Sequence, residues 1–242
     1  MKETSTQAVI DAITDAILLQ RLSPGTRLGE TELAAIFGVG RTVIRQALIR
    51  LSQSKLVRIE HNRGASVAQP TEFEIHETFE ALAMIECAAM EKFAGTMTAA
   101  DVQRLRQHVS EQRVAHQREN VDLEYRLGPD FHLLIVQMAG NRTLEGIHAS
   151  LIAQERLFTS FHYDGFDHGH LCRDHEEIID LMQAGAVQRA QALMKGHYRT
   201  LEGFCLGNRE RRQGLALREA LQPLAKPEAP PPAPTGQVVR IK

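Results

Sequence analysis

Within the first seventy residues the spacing of apolar side chains changes period at residue 56, and that change constrains the fold more than any other feature. Upstream, Ile10, Ile13 and Ile17 share one helical face in the segment from Thr6 to Gln20, and Ser23-Pro24-Gly25 then makes a turn. Leu33, Ala34 and Phe37 mark a short second helix between Gly29 and Gly38. Ile44, Ala47, Leu48 and Leu51 recur at i, i+3, i+4 and i+7 in a third, from Arg41 to about Ser54. Then the period falls to two. Leu56-Val57-Arg58-Ile59 reads as a strand, His61-Asn62-Arg63-Gly64 as a tight turn, and Ala65-Ser66-Val67-Ala68 as the returning strand, closed by Pro70. Three helices followed by one hairpin is the order of a winged helix-turn-helix.

From Glu74 to about Gly207 the period is helical again, with short breaks and no convincing strand. The stripes Phe79/Leu82/Met90/Phe93, Phe131/Leu134/Ile135/Met138, Leu144/Ile147/Leu151, Leu171/Ile178/Met182 and Leu193/Leu201/Phe204 are expected to form the core of a helix bundle. The expected fold is therefore mostly α: an N-terminal winged helix-turn-helix with a two-stranded wing over residues 1–70, then an all-α helix-bundle domain over residues 75–206. Residues 207–242, charged and then Pro-rich through KPEAPPPAPTG, are expected to be a disordered tail.

Charge separates the same two regions. The whole chain carries −2, but residues 1–70 hold nine Lys/Arg against six Asp/Glu, and the remainder nineteen against twenty-four. Between Gly38 and Arg63 there are six basic residues and one acid, Glu60. A local basic stripe on a mildly acidic protein suits a modular DNA binder, because phosphate neutralisation is a local effect. Cys87, Cys172 and Cys205 are odd in number and lack CxxC spacing, which argues against a disulfide framework and for a reducing, cytoplasmic setting. No stretch approaches the roughly 20 uncharged apolar residues needed to span a bilayer, so no membrane partner is expected.

The third helix has the residues to read DNA. Its apolar face anchors it, while Arg41, Thr42, Arg45 and Gln46 lie on the opposite side near its N-terminus, the end that recognition helices turn toward base edges. Arginine pairs bidentately with guanine, and glutamine with adenine. At the wing tip Arg63 and Gly64 bring a cation and a bare backbone, and Arg50, Lys55 and Arg58 can add phosphate contacts. Any one of these arginines could equally be part of a solvated helix face; it is the ordered set that points to DNA.

The segment GETELAAIFGVGRTVIRQALIRLSQSKLVRIEHNRGASV resembles the DNA-binding module of GntR-type regulators along its full length. The resemblance implies that Arg41, Thr42, Arg45 and Gly64 work at DNA. It departs at Gly40, Val43 and Gln46, where the family has serine, proline and glutamate. Glycine in place of an N-cap serine costs the helix only a few tenths of a kcal/mol, whereas Gln46 bears on base preference.

Among eleven histidines, three fall on apolar stripes of separate helices: His132, His175 and His197. Spacing alone permits two readings, three imidazoles converging on one divalent ion or three hydrogen-bonded core residues. Residues 75–206 are similar to the all-helical FCD domain of the FadR-type branch of the same family, through FHLLIVQMAGN, DHEEIIDLMQAG and AQALMKGHY. The resemblance implies that the three histidines bind a divalent ion (zinc, nickel or manganese, one per chain) and the effector. The aspartate of that pattern belongs one turn before the first histidine, and here Gly128 stands there; Asp130, two residues from His132, points nearly opposite on a regular helix. A metal-free pocket lined by the same histidines is thus the open alternative. Leu82 occupies a position where the family often has an effector-binding arginine, which shifts the expected ligand from a simple carboxylate toward a less charged or more apolar molecule. Asn141 fits a structural turn.

The resulting expectation is a homodimeric repressor that binds a palindromic operator on double-stranded DNA and responds to a small-molecule effector. Two rivals stand beside it: a metal-dependent hydrolase or lyase using the same histidines, and a non-specific DNA-binding protein.

Overall fold

The computed structural model describes residues 5–160, 168–207 and 215–221. The N-terminal unit consists of α1 (Thr6–Leu18), α2 (Glu30–Phe37), α3 (Arg41–Gln53), β1 (Val57–Glu60) and β2 (Gly64–Val67). Ser5 caps α1 by accepting a hydrogen bond from the Ala8 amide, and the helix buries Val9, Ile13, Ala16 and Ile17. Opposite them α3 buries Ile44, Ala47, Leu48 and Leu51. Each fully buried Val, Leu or Ile among them contributes about 1.5–3 kcal/mol.

Both strands begin one residue away from the sequence expectation, and the cause is local. Lys55 takes a positive φ of 62°, the Leu56 amide bonds back to the Leu51 carbonyl and the Lys55 amide to Ser52. This pair of bonds closes the C-terminus of α3 and uses Leu56 as its hydrophobic stop. The strands pair antiparallel with Val57 opposite Val67 and Glu60 opposite Gly64. A third edge went unforeseen: Arg27 bridges to Ser66, and the Gly25 and Leu28 amides donate to the Val67 and Ala65 carbonyls. The turn expected at Ser23-Pro24-Gly25 feeds this edge, with Gly25 at a φ of +80° that glycine adopts without strain.

The helical region comprises α4 (Glu72–Ala94), α5 (Ala99–Gln117), α6 (Val121–Met138), α7 (Arg142–Ser160), α8 (His168–Gln183), α9 (Val187–Gly207) and α10 (Leu217–Ala220). Capping boxes start α4 and α5, through Thr71 with Glu74 and Thr98 with Asp101. Helix α4 packs on α9, α7 and α6, while α5 packs on α6 and α8 and α8 on α9. Among the described residues no helix is long and apolar enough to cross a membrane.

Two expectations need correction. Of the stripe Leu144/Ile147/Leu151, the outer two are half-buried and Ile147 is 53% exposed. The buried face of α7 instead carries His148, Ile152, Glu155 and Thr159, because its polar side chains find partners or a cavity inside the bundle. In the expected tail, Leu217, Ala220 and Leu221 are buried, and the Leu215 amide donates to the Arg21 carbonyl of the winged unit. Apolar side chains at i, i+3 and i+4 make this short helix worth docking. Residues 208–214 and 222–242 of the expected tail lie outside the described residues.

The two regions meet along α1 and α7, and Arg126–Asp15 (3.4 Å) and Arg58–Glu74 (3.3 Å) link them by charge.

Candidate functional site

On the winged unit the structure leaves Arg41, Thr42, Arg45, Gln46, Arg50, Arg63 and Gly64 exposed. Gly40 caps α3 with extended backbone and no side-chain bond, as the missing serine dictates. A cleft of about 550 Å³ opens between the start of α3 and the wing tip, lined by Arg27, Glu30, Arg41, Arg45, Arg63 and Gly64 among others. Gly64 adopts a φ of +82° at this tip, and a Cβ there would meet nothing within 4 Å, so backbone conformation rather than crowding favours glycine. Arg50 reaches Gln7 at 3.5 Å, outside the cleft.

The residue missed here is Glu30, at the start of α2. It accepts two bonds from Arg45, at 3.0 and 2.9 Å, and one from Arg41 at 3.1 Å. The hydrogen bonds from Arg45 and then Arg41 hold its carboxyl well below the usual carboxylate range, at about 2. Glu30 thus pre-orients two long cations that would otherwise sample many rotamers, and leaves both arginine side chains 62% exposed. An acid at the first position of a helix that precedes a basic one was the available signal.

In the bundle, α6, α8 and α9 bring His132, His175 and His197 together. Their ring centres stand 5.0, 5.0 and 4.9 Å apart, and their potential ligand atoms lie within 4.8 Å of one another. Phe131 stacks on His175 with ring centres 4.0 Å apart, fixing its plane. All three histidines are buried.

Each ring is held by its Nδ1. His132 Nδ1 bonds Glu86 at 2.8 Å, His175 Nδ1 bonds the Gln112 side-chain oxygen at 2.9 Å, and His197 Nδ1 bonds Asp174 at 3.1 Å. With acceptors on Nδ1, the proton sits there and Nε2 keeps its lone pair. The Nε2 of His175 is buried with no partner. Burial, then His197 and His132, lowers the His175 pKa well below its ordinary value, and burial lowers that of His197 as well. Imidazoles that give Nδ1 to a structural acceptor and keep Nε2 for an ion are the donor set that suits a divalent borderline cation. The residues present fit a metal ion.

Glu86 anchors the arrangement. Fully buried, it also bonds His148 Nε2 at 2.7 Å and accepts the Tyr198 hydroxyl. Burial alone would raise its pKa, but His132 and His148 outweigh that and hold it at about 2. His132 is correspondingly raised by Glu86 against the effect of burial. Sequence reasoning passed over Glu86, although an acid four residues after Leu82 and four before Met90 interrupts an otherwise apolar stripe.

A cavity of about 50 Å³ adjoins the three histidines and is lined also by Gln112, Gly128, Pro129 and Glu155. A Cβ on Gly128 would meet only Gln112 Nε2, at 3.7 Å. Asp130 turns away to pair with Arg156. Leu82 is fully buried in the core, the plainer of its two readings. Asn141 accepts from the Leu144 amide at the start of α7, as a turn residue should.

Comparison with known proteins agrees with both halves. Residues 5–67 match bacterial regulatory proteins of the gntR family, and residues 77–200 match the FCD domain. The HTH-type transcriptional repressor RspR of Escherichia coli is 30% identical over 180 residues, covering 70% of this chain and 76% of that protein. The Uxu operon regulator of Haemophilus influenzae is 25% identical over 186 residues, covering 69% of each. Among solved structures, a putative GntR transcriptional regulator from a Rhodococcus species superposes with a TM-score of 0.73 at 26% identity, covering 84% of this chain and 97% of that one. With a gntR-type winged unit followed by an FCD domain that fills more than half of its length, this chain belongs to the GntR family as a ligand-responsive, DNA-binding transcriptional regulator.

Proposed function

We propose that the chain is a homodimeric repressor acting in the cytoplasm, whose winged unit (residues 1–70) binds a palindromic operator and whose helical domain (residues 75–206) holds one divalent ion between His132, His175 and His197. The observation that carries the effector half is the cluster of three buried histidines, each held at Nδ1, whose potential ligand atoms lie within 4.8 Å of one another beside one small cavity. An ion held there would supply a Lewis acid for an oxygen of the effector. Arg41, Thr42, Arg45, Gln46, Arg63 and Gly64 face the DNA, with Arg50 on a neighbouring phosphate. A two-fold dimer would set two α3 helices about one helical turn apart. Exposed Met84 on α4 and Ile147 on α7 offer apolar area for the partner. The repressor assignment draws on the name of the Escherichia coli relative.

The mechanism follows from the size of the cavity. Metabolite pockets span roughly 300–1,000 Å³, and about 50 Å³ is open here. An effector therefore requires the helices around the histidines to separate, and it stabilises the separated arrangement by its differential affinity. Helix α9 carries His197, and residues just beyond it dock on Arg21 of the winged unit, while α7 packs on α1. Separation of α7 or α9 thus moves the two recognition helices relative to each other, and operator spacing converts that movement into lost affinity.

The test pairs elemental analysis of the purified protein with mobility shifts on DNA selected by it from a random pool, and with sedimentation. About one zinc, nickel or manganese per chain, a dimer mass and a palindromic selected sequence are expected. A metal-free monomer, or no enrichment of any sequence, overturns the reading. No turnover of small acids or esters is expected with any of these ions added.

A further inference from the structure

The resemblance that brings three histidines together leaves the ion short of a carboxylate, because Gly128 has no side chain. The cavity contains one from another element. Glu155, on the buried face of α7, is 4% exposed, lines the same cavity as His132, His175, His197 and Gly128, and has an Oε2 atom without any hydrogen-bond partner. A buried carboxyl oxygen left unpaired costs free energy that evolution rarely leaves uncompensated without a use. The other carboxyls near the histidines are engaged: Glu86 by His132 and His148, Asp174 by His197, and Glu124 by His116 at 2.7 Å. Two unpartnered atoms of complementary chemistry, His175 Nε2 and Glu155 Oε2, therefore face one cavity.

We infer that Glu155 is the anionic partner of the metal ion in this chain, contributed from α7 in place of the α6 aspartate that Gly128 replaces. It stands outside the set of ligand atoms lying within 4.8 Å of one another, so it acts through an ion-bound water, for which the cavity of about 50 Å³ has room. A carboxylate accepting from such a water would strengthen the ion's hold without itself being a ligand. The inference rests on the three-histidine reading above. It also explains why Gly128 is tolerated: the charge has moved from one helix to another, and the space at Gly128 is left to Gln112, which orients His175.

The experiment is a cobalt(II) titration of the full chain, followed by the visible spectrum and by competition with zinc. Four proteins are compared: wild type, Glu155→Gln, Glu155→Gln with Gly128→Asp, and His175→Ala. Outer groups that hold a ligand or a bound water typically change metal affinity by about 10–100-fold. Glu155→Gln is expected to weaken cobalt binding by about that factor and to shift the spectrum. Adding Gly128→Asp, for which the backbone leaves room, is expected to restore most of the affinity. The metal-free melting temperature of Glu155→Gln, measured in parallel, is expected to stay near wild type, which separates a binding defect from a folding one. If His175→Ala loses cobalt while Glu155→Gln keeps wild-type affinity and spectrum, the role given to Glu155 is wrong and the three-histidine site survives. If wild type takes up no cobalt, or His175→Ala binds it as wild type does, the site itself is wrong and the role of Glu155 falls with it.

Discussion

Arg45 and His175 are the residues on which the readings of their two regions turn, and their surroundings could hardly differ more. The Arg45 side chain is 62% exposed, held by Glu30 on a helix whose core face is entirely apolar. His175 is 1% exposed and forms part of the packing itself, stacked on Phe131 and bonded to Gln112. On the reading proposed above, stability and function use opposite faces of the same helix in the winged unit, and the same atoms in the helical domain. The first arrangement lets DNA contacts vary at little cost to the fold. The second makes each change at the effector site a change in the core, and it couples the site mechanically to everything packed around it.

The sharpest way to break this contrast is at Glu86. Glu86→Ala strands His132, His148 and the Tyr198 hydroxyl in the core, and removing one partner of a buried ionic network costs about 3–5 kcal/mol. For a chain of this size each kcal/mol corresponds to about 2–4 °C, so a melting temperature lower by about 6–20 °C is expected in a circular-dichroism melt. An unchanged melt would mean the buried network carries no stability and the contrast fails. Next in size is metal itself. At an ion concentration about 100-fold above Kd, binding to the folded state alone adds about 2.7 kcal/mol. Zinc should therefore raise the melting temperature by about 5–10 °C in wild type, a chelator should reverse it, and His175→Ala should abolish it.

The winged unit is expected to behave in the opposite way. Arg45→Ala should weaken binding to a selected operator about 10- to 100-fold by mobility shift, while the melting temperature falls by no more than about 4 °C, the share of its exposed pair with Glu30. A larger loss of stability would show that Arg45 supports the fold and would remove the distinction between the regions. The smallest effect concerns Glu30. Its carboxyl is held down at about 2 by hydrogen bonds from Arg45 and Arg41, so the pairing is present in full above about 4.5 and lost as pH falls toward 2. The difference in melting temperature between wild type and Glu30→Gln is accordingly expected to be constant from pH 7 to 5 and to shrink below that. A difference that persisted at pH 2.5 would mean the ion pair is not its source.

Much of this was legible before any coordinates. The period change at residue 56, the apolar stripe through Ile44 and Leu51 and the basic side carrying Arg41 and Arg45 all survive intact, because an amphipathic helix declares its two faces locally. The three histidines were legible for the same reason, each standing on or beside an apolar stripe of its own helix. Glu30 was not, since its partners lie eleven and fifteen residues away, across a turn. Helix α7 misled in part. Ile147 of its apolar stripe points outward while Leu144 and Leu151 reach the core at half burial, His148 and Glu155 point in beside Ile152 and Phe158, and only the positions of α4, α6 and α9 decide that this mixed face is the one to bury.

The sequence by itself determined the order of elements in the winged unit, the division into a basic winged unit and an acidic helical one, and which face of α3 is apolar and which basic. Those follow from spacings of two, three and four residues, which backbone geometry converts directly into faces. What only the tertiary structure decided is which nitrogen each histidine leaves bare, which carboxyl remains unpaired beside them, and that residues 215–221 return to Arg21. Those depend on contacts between residues far apart in the chain, such as Glu86 with His148 and Tyr198. A hydrogen bond across a core is fixed by how helices pack against one another, and no local spacing encodes that packing.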